Sequence, residues 1–350
     1  MRDLNREAWF LYQVTSIEYF ERCAQACQEF AEVFDQLMTK HDVHGRGNLD
    51  FWVQEYYRYA RDIRRNIELV KLGDYTPMMR MIFAPSTSYR GISEQILSWM
   101  TDEERKAWKA AFERLSMPCS TANQAMESNE WAGITWLERE ERKDEEDFQE
   151  LLDRDDGIAG EDCEWYVNRL QEMGFLPKPE HYPQYQIDKT RSCRPGEPCP
   201  WTGVWIPEPA LTGGLEKFSL AFAMAGRPMQ PVYRIVSMKK VTMYEPDPEI
   251  REIMGEDADH TTFSPITKAE DALWYPVVQA DTGAEARPDH GRLRGLPNEP
   301  VPKTGWWWSP AFTGKEALKH FKQGEHFPPT ETTNYGGVFW YYDADRQPKE

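Results

Sequence analysis

Few residues in this chain have the type and spacing that chemistry needs. His41 and His44 lie three apart with Asp42 between them, which could suggest a bound metal. No third convincing ligand accompanies them, and Gly45 and Gly47 mark an interhelical loop, so solvated loop histidines are the better reading. Cys193 and Cys199 flank Arg194-Pro195-Gly196-Glu197-Pro198 and could bridge or bind metal, although their spacing matches no zinc pattern. Cys23 and Cys27 fall four apart on one helix face, where buried free thiols are expected. His320 and His326 flank Gly324, and His320 is expected to pack within its own segment rather than act as a base. The sequence holds no Gly-x-Ser-x-Gly, P-loop, His-Glu-x-x-His or Gly-x-Gly-x-x-Gly. No catalytic residue, metal ligand or cofactor is therefore assigned, and the expectation is a protein that is not an enzyme.

A denser group is acidic. From Glu138 the chain reads Glu-Arg-Glu-Glu-Arg-Lys-Asp-Glu-Glu-Asp and continues through Glu150, Asp153, Asp155 and Asp156 to Glu164. Arg139, Arg142 and Lys143 give helical i,i+3 and i,i+4 pairs, so part of the run compensates itself. It can be a solvated helix face. It can also be a negative docking surface that steers a cationic protein, with Glu140, Glu141, Asp144, Glu145, Asp147, Asp153, Asp155 and Asp156 as partner-binding candidates. Metal binding is disfavoured, because these acids are strung along a helix rather than gathered in a loop.

The elements that must position these groups divide the chain. Residues 3–39 carry apolar side chains at threes and fours, the period of one long amphipathic helix. A second helix is expected from Leu49 to Leu72, stopped by Gly73. Others are expected at 88–100, 101–115, 120–152 and 161–173, and Thr101 with Glu104 has capping-box spacing. From Leu176 to Pro200 prolines dominate, as in a linker or irregular crossover. Strand-like runs follow at 203–206, 232–243, 273–278, 306–308 and 337–342, with 281–302 read as a long exposed loop. The fold class is α+β: an α-helical domain over 1–177, then a β-rich domain over 178–350 with a Pro-rich lead-in.

The second half contains a repeat. Thr304-Gly305-Trp306-Trp307-Trp308-Ser309-Pro310 leads to Phe321-Lys322-Gln323-Gly324-Glu325, and a weaker copy runs from Thr202-Gly203-Val204-Trp205 to Gly226-Arg227-Pro228. In both, a Thr-Gly opens an aromatic strand, an amphipathic segment follows (215–223 and 315–321), and a glycine turn closes the unit. Two copies are too few for a solenoid and imply a pseudo-symmetric pair. Strand alternation sends Trp306 and Trp308 to one face and Trp307 to the other, so one face is core and the other needs a cover. Burial between the two domains is the plainer reading of the covered face, and Trp307 is also taken as a partner-contact candidate.

Composition excludes some function classes. With 59 acidic against 41 basic residues the net charge is −18, which repels nucleic acid and anionic membranes and suits a basic partner. No stretch approaches the roughly 18 to 20 apolar residues a bilayer requires, and the first residues lack a signal-peptide pattern, so a cytoplasmic location is expected.

At the repeat residues the chain resembles immunity proteins of bacterial polymorphic toxins and type VI secretion effectors, in the families numbered seventy-one and seventy-two. The pattern is Thr-Gly-x-Trp-x-x-Pro, a short helix, Phe-Lys-x-Gly-Glu-x-x-Pro and Tyr-Gly-x-x-x-Trp-x-x-Asp. It is carried by Thr304, Gly305, Trp308, Pro310, Phe321, Lys322, Gly324, Glu325, Pro328, Tyr335, Gly336, Trp340 and Asp343. The resemblance covers the last 150 residues or so. It implies a non-enzymatic inhibitor that binds a cognate toxin, with the charge suiting a nuclease, and silences it by stoichiometric occlusion. The alternatives are an adaptor that loads an effector onto a secretion apparatus and, third, a hydrolase that reverses toxin damage. Glu325 joins the contact candidates. Its counterpart Arg227 departs from the pattern and cannot serve the same role.

Overall fold

The computed structural model describes residues 3–127, 134–135, 163–213, 219–242, 261–280, 294–309, 312, 314–329, 332–333 and 336–343. The fold is α+β, with helices first and a β-rich C-terminal part.

The helical half begins with α1 (Leu4–Val14) and α2 (Ile17–Lys40). The single helix expected over 3–39 is broken because Ser16 caps α2: its hydroxyl accepts from the Tyr19 amide at 3.2 Å. The apolar period continues across the break, so periodicity alone conceals it. Helix α3 (Leu49–Val70) ends at Gly73, whose φ of 83° is the left-handed conformation glycine tolerates best. Two short helices follow, α4 (Thr76–Met81) and α5 (Ala84–Thr87), and of the helix expected from 88 to 100 only α6 (Tyr89–Ser93) forms. Within α6, Gly91 lies against the Trp52 ring, where a Cβ would come within 2.2 Å, so glycine is what lets this helix pack on α3. Helix α7 (Asp102–Met126) starts at the expected capping box, with Thr101 Oγ1 and the Glu104 carboxylate exchanging bonds with each other's amides at 3.2 and 2.8 Å. It then runs through Pro118, where two helices were expected. The Pro118 carbonyl accepts from the Tyr19 hydroxyl at 3.1 Å, tying the proline turn to α2. Helix α8 (Cys163–Glu172) completes this half.

Two four-stranded sheets follow. The first has the order β2 (Tyr185–Ile187), β7 (Trp274–Gln279), β3 (Gly203–Pro207), β4 (Ala221–Ala223). The second has the order β10 (Leu318–Phe321), β9 (Gly305–Trp308), β13 (Trp340–Tyr342), β8 (Arg294–Gly295). Each central strand is preceded by the same proline-rich turn and followed by a short helix: α9 (Glu208–Gly213) in the first unit, a 3-10 turn (Gly314–Ala317) in the second. The amphipathic segments after the aromatic strands thus end as the strands β4 and β10. A hairpin is inserted at the same point of each unit. It is long in the first, β5 (Val232–Thr242) with β6 (Thr261–Glu270), and short in the second, β11 (Thr332–Thr333) with β12 (Gly336–Gly337). A two-residue strand, β1 (Ile134–Thr135), pairs parallel to β5.

Burial shows how the halves meet. One cluster of buried side chains runs from Ala8 through the helices, Phe175 and Leu176, and on into Cys193, Trp205, Phe222, Trp274 and Val277, on both sides of residue 178. The Tyr12 hydroxyl joins α1 to the first sheet, donating to the Val277 carbonyl at 2.8 Å. A second cluster, Val301, Trp307, Phe321, Phe327, Val338, Trp340 and Tyr342, belongs to the second unit.

Candidate functional site

The repeat is longer than its Thr-Gly opening suggests. Residues 194–205, Arg-Pro-Gly-Glu-Pro-Cys-Pro-Trp-Thr-Gly-Val-Trp, correspond to residues 296–307, Leu-Pro-Asn-Glu-Pro-Val-Pro-Lys-Thr-Gly-Trp-Trp. Gly196 and Asn298 both turn with positive φ, 81° and 65°. Glu197 accepts the Arg194 amide at 3.0 Å, and Glu299 accepts the Leu296 amide at 2.8 Å. Thr202 Oγ1 accepts the Ala225 amide and Thr304 Oγ1 the Gln323 amide, both at 2.9 Å. The buried indoles Trp205 and Trp307 each donate to the carbonyl four residues back, Trp201 at 3.2 Å and Lys303 at 3.1 Å. A buried indole N–H is stabilised by such a partner, and here the carbonyl just before the Thr-Gly supplies it. The stretch read as a linker is therefore part of unit one, and the end of the long loop is part of unit two. The signal was present in the sequence as Pro-x-Glu-Pro-x-Pro-x-Thr-Gly-x-Trp, written twice.

This equivalence places the sequence-predicted residues. Trp307, taken as a partner contact, is fully buried and packs edge-on against Phe327 at 4.9 Å and Tyr342 at 5.3 Å. It is a core residue, because its face of β9 is the one turned inward. It is also Trp307, not Trp308, that occupies the position of Trp205. Glu325 is exposed and accepts the Lys322 amide at 2.7 Å, closing the Gly324 turn. Glu140, Glu141, Asp144, Glu145, Asp147, Asp153, Asp155 and Asp156 lie outside the described residues.

The histidines and cysteines find local partners. His41 meets Glu104 at 2.8 Å, and His44 meets Asp50 at 2.8 Å and Thr39 at 3.1 Å. The Asp50 carboxylate holds the His44 ring above its ordinary pKa. All six cysteines are free and buried. Burial pushes the Cys199 thiol up to about 12, which makes it a poor nucleophile and a poor metal ligand at neutral pH. Among the described residues, no group of three or more His, Cys, Asp or Glu is placed to hold a metal ion.

A cleft of ≈ 490 Å³ opens where the helical half and both repeat units meet. Its first wall is the turn after α3 together with α4, with Asp74, Thr76 and Arg80. The second is the glycine turn of unit one, Met224 to Pro228, and the third is Leu296, Glu299 and Tyr341 of unit two. Asp74 is buried and anchored: it accepts the Thr76 amide at 3.0 Å and the Tyr341 hydroxyl at 2.6 Å. That second bond ties unit two to the helices across the cleft floor. Arg227 is half-buried and reaches Met79, with Nη1 at 3.6 Å from the sulfur. Sequence reasoning noted Arg227 as a departure from the repeat but not the cleft it faces, since the other walls come from distant parts of the chain.

No helix among the described residues is long and apolar enough to cross a membrane. No protein-family model matches the chain, and no curated protein or solved structure matches it.

Proposed function

We propose that this protein is an immunity protein, which binds a cognate secreted toxin and silences it by stoichiometric occlusion. The observation that carries the reading is the ordered motif from Thr304 to Asp343, which resembles such proteins and stands on those residues alone. The net charge of −18 supports a basic target, as a nuclease that grips phosphate would be. Several motif residues have structural roles in this chain. Thr304 and Gly324 set a turn, while Phe321 and Trp340 fill the core. These four residues specify the scaffold, while Glu325 of the same motif is exposed and stays a contact candidate. Exposed Phe51, Phe83 and Trp165 replace Trp307 as apolar anchors in this reading, and the acidic run supplies steering.

The test is co-purification with a candidate toxin domain, followed by association kinetics across a salt series. Reversing Asp153, Asp155 and Asp156 to lysine should slow association and flatten its salt dependence. Unchanged on-rates would remove the acidic run from the interface. A stable complex whose toxin remains active would favour a loading adaptor instead.

A further inference from the structure

The glycine turn of unit one differs from its copy at the residue that faces the central cleft. In unit two the position is Glu325, exposed and bonded to its own turn. In unit one it is Arg227, which lines the cleft together with Arg80 of α4. The surrounding protein is rich in carboxylates, and its other arginines commonly use them. Arg58 pairs with Glu55 and Asp62, Arg191 with Asp188, and Arg194 with Asp271. Arg80 and Arg227 have no carboxylate within ion-pair reach among the described residues, although Asp74 and Glu299 line the same cleft. Asp74 instead accepts the Thr76 amide on one oxygen and the Tyr341 hydroxyl on the other, and Glu299 accepts the Leu296 amide on one of its two oxygens.

We infer that this cleft binds a small soluble oxyanion, a carboxylate or a phosphate, through the guanidinium groups of Arg80 and Arg227. A guanidinium presents a planar fork of donors that matches either anion, and two of them on adjoining walls can grip one group from two sides. The volume falls within the range of small-molecule sites, and Leu296 and Met224 provide an apolar side for the carbon part of a ligand. Because the cleft joins the helices to both repeat units, an occupant stabilises the junction that the Tyr341–Asp74 bond also holds. The inference does not depend on the immunity reading, and its test requires no toxin.

The experiment is calorimetric titration of the full chain with inorganic phosphate, pyrophosphate and succinate, each paired with a thermal melt. At least one probe should saturate and raise the melting temperature. Arg227→Glu and Arg80→Gln should each weaken that binding by about tenfold or more, the loss of a charge-assisted contact. Glutamate already occupies the equivalent turn position at 325, so Arg227→Glu should preserve the fold, checked by circular dichroism. The stronger class of probe then identifies the anion. Failure of all three probes to saturate, or equal binding by wild type and both variants, would overturn the inference.

Discussion

Substituting Gly295 by alanine places a methyl group where no space exists. Its Cβ would lie 1.9 Å from Cε2 of Phe327 and 2.6 Å from two further ring atoms. That ring cannot withdraw, because it is 1% exposed and packs on Trp307 at 4.9 Å, Phe321 at 5.2 Å and Trp340 at 6.2 Å. The Gly295 backbone is outside the left-handed region, so the substitution isolates the clash from backbone strain. Overpacking of this kind costs about 1–3 kcal/mol. The first unit solves the same position differently: Cys193 stands opposite Trp274 as Gly295 stands opposite Trp340, and Met229 takes the place of Phe327. Phe327→Met alone should also destabilise, by about 1–2 kcal/mol, through partial loss of a filled aromatic site. Combined, the two changes approach the packing of unit one, with alanine standing in for the larger Cys193. The double variant should be more stable than the sum of the single effects by about 1 kcal/mol or more, a coupling typical of touching side chains. The assay is urea unfolding followed by tryptophan fluorescence, comparing midpoints at unchanged slope. Gly203→Ala is the control, since the Trp201 ring 2.4 Å away is half-buried and can swing outward at lower cost. Additive effects would refute the reasoning that the two units share one packing scheme.

Two further perturbations test other joints of the fold. Tyr341→Phe removes the hydroxyl bonded to Asp74 at 2.6 Å, a buried hydrogen bond to a carboxylate, and should cost about 1.5–3 kcal/mol in chemical denaturation. No change would mean that this bond does not hold unit two to the helices. Glu104 is held down to about 2, first by Lys40 at 2.6 Å, then by the Thr101 amide and by His41. A carboxyl depressed below its unfolded value contributes stability above that value, 4.5, and loses it as pH falls toward 2. The melting-temperature gap between wild type and Glu104→Gln should therefore be full at pH 6 and shrink progressively below pH 4.5. A gap independent of pH would contradict the ionic role of Glu104.

Where a signal is local, the sequence showed it. Thr101 and Glu104 announced their capping box, Gly73 the stop after its helix, and the Thr-Gly-aromatic pattern the strands β3 and β9. What stayed hidden depends on partners far away in the chain. Ser16 interrupts a helix without interrupting its apolar period, and Pro118 is tolerated because α2 packs on the turn that contains it. The proline-rich turns looked like a linker and the end of a loop because their hydrogen bonds close onto the glycine turns at Gly226 and Gly324, each two strands and a short helix further on. The cleft could not be read at all, since Asp74, Arg227 and Tyr341 come from three different segments. Trp307 shows how a run of aromatics misleads: alternation determines that two faces exist, and only the fold determines which one is covered.

The central claim is that this protein silences a toxin by occupying it. The most direct measurement titrates the purified protein against a candidate toxin domain, following toxin activity and complex mass in the same samples. The account predicts that activity falls linearly to zero at a fixed molar ratio and that a stable complex of matching stoichiometry accumulates. Full protection at a small fraction of that ratio, or a stable complex that leaves the toxin active, would contradict it.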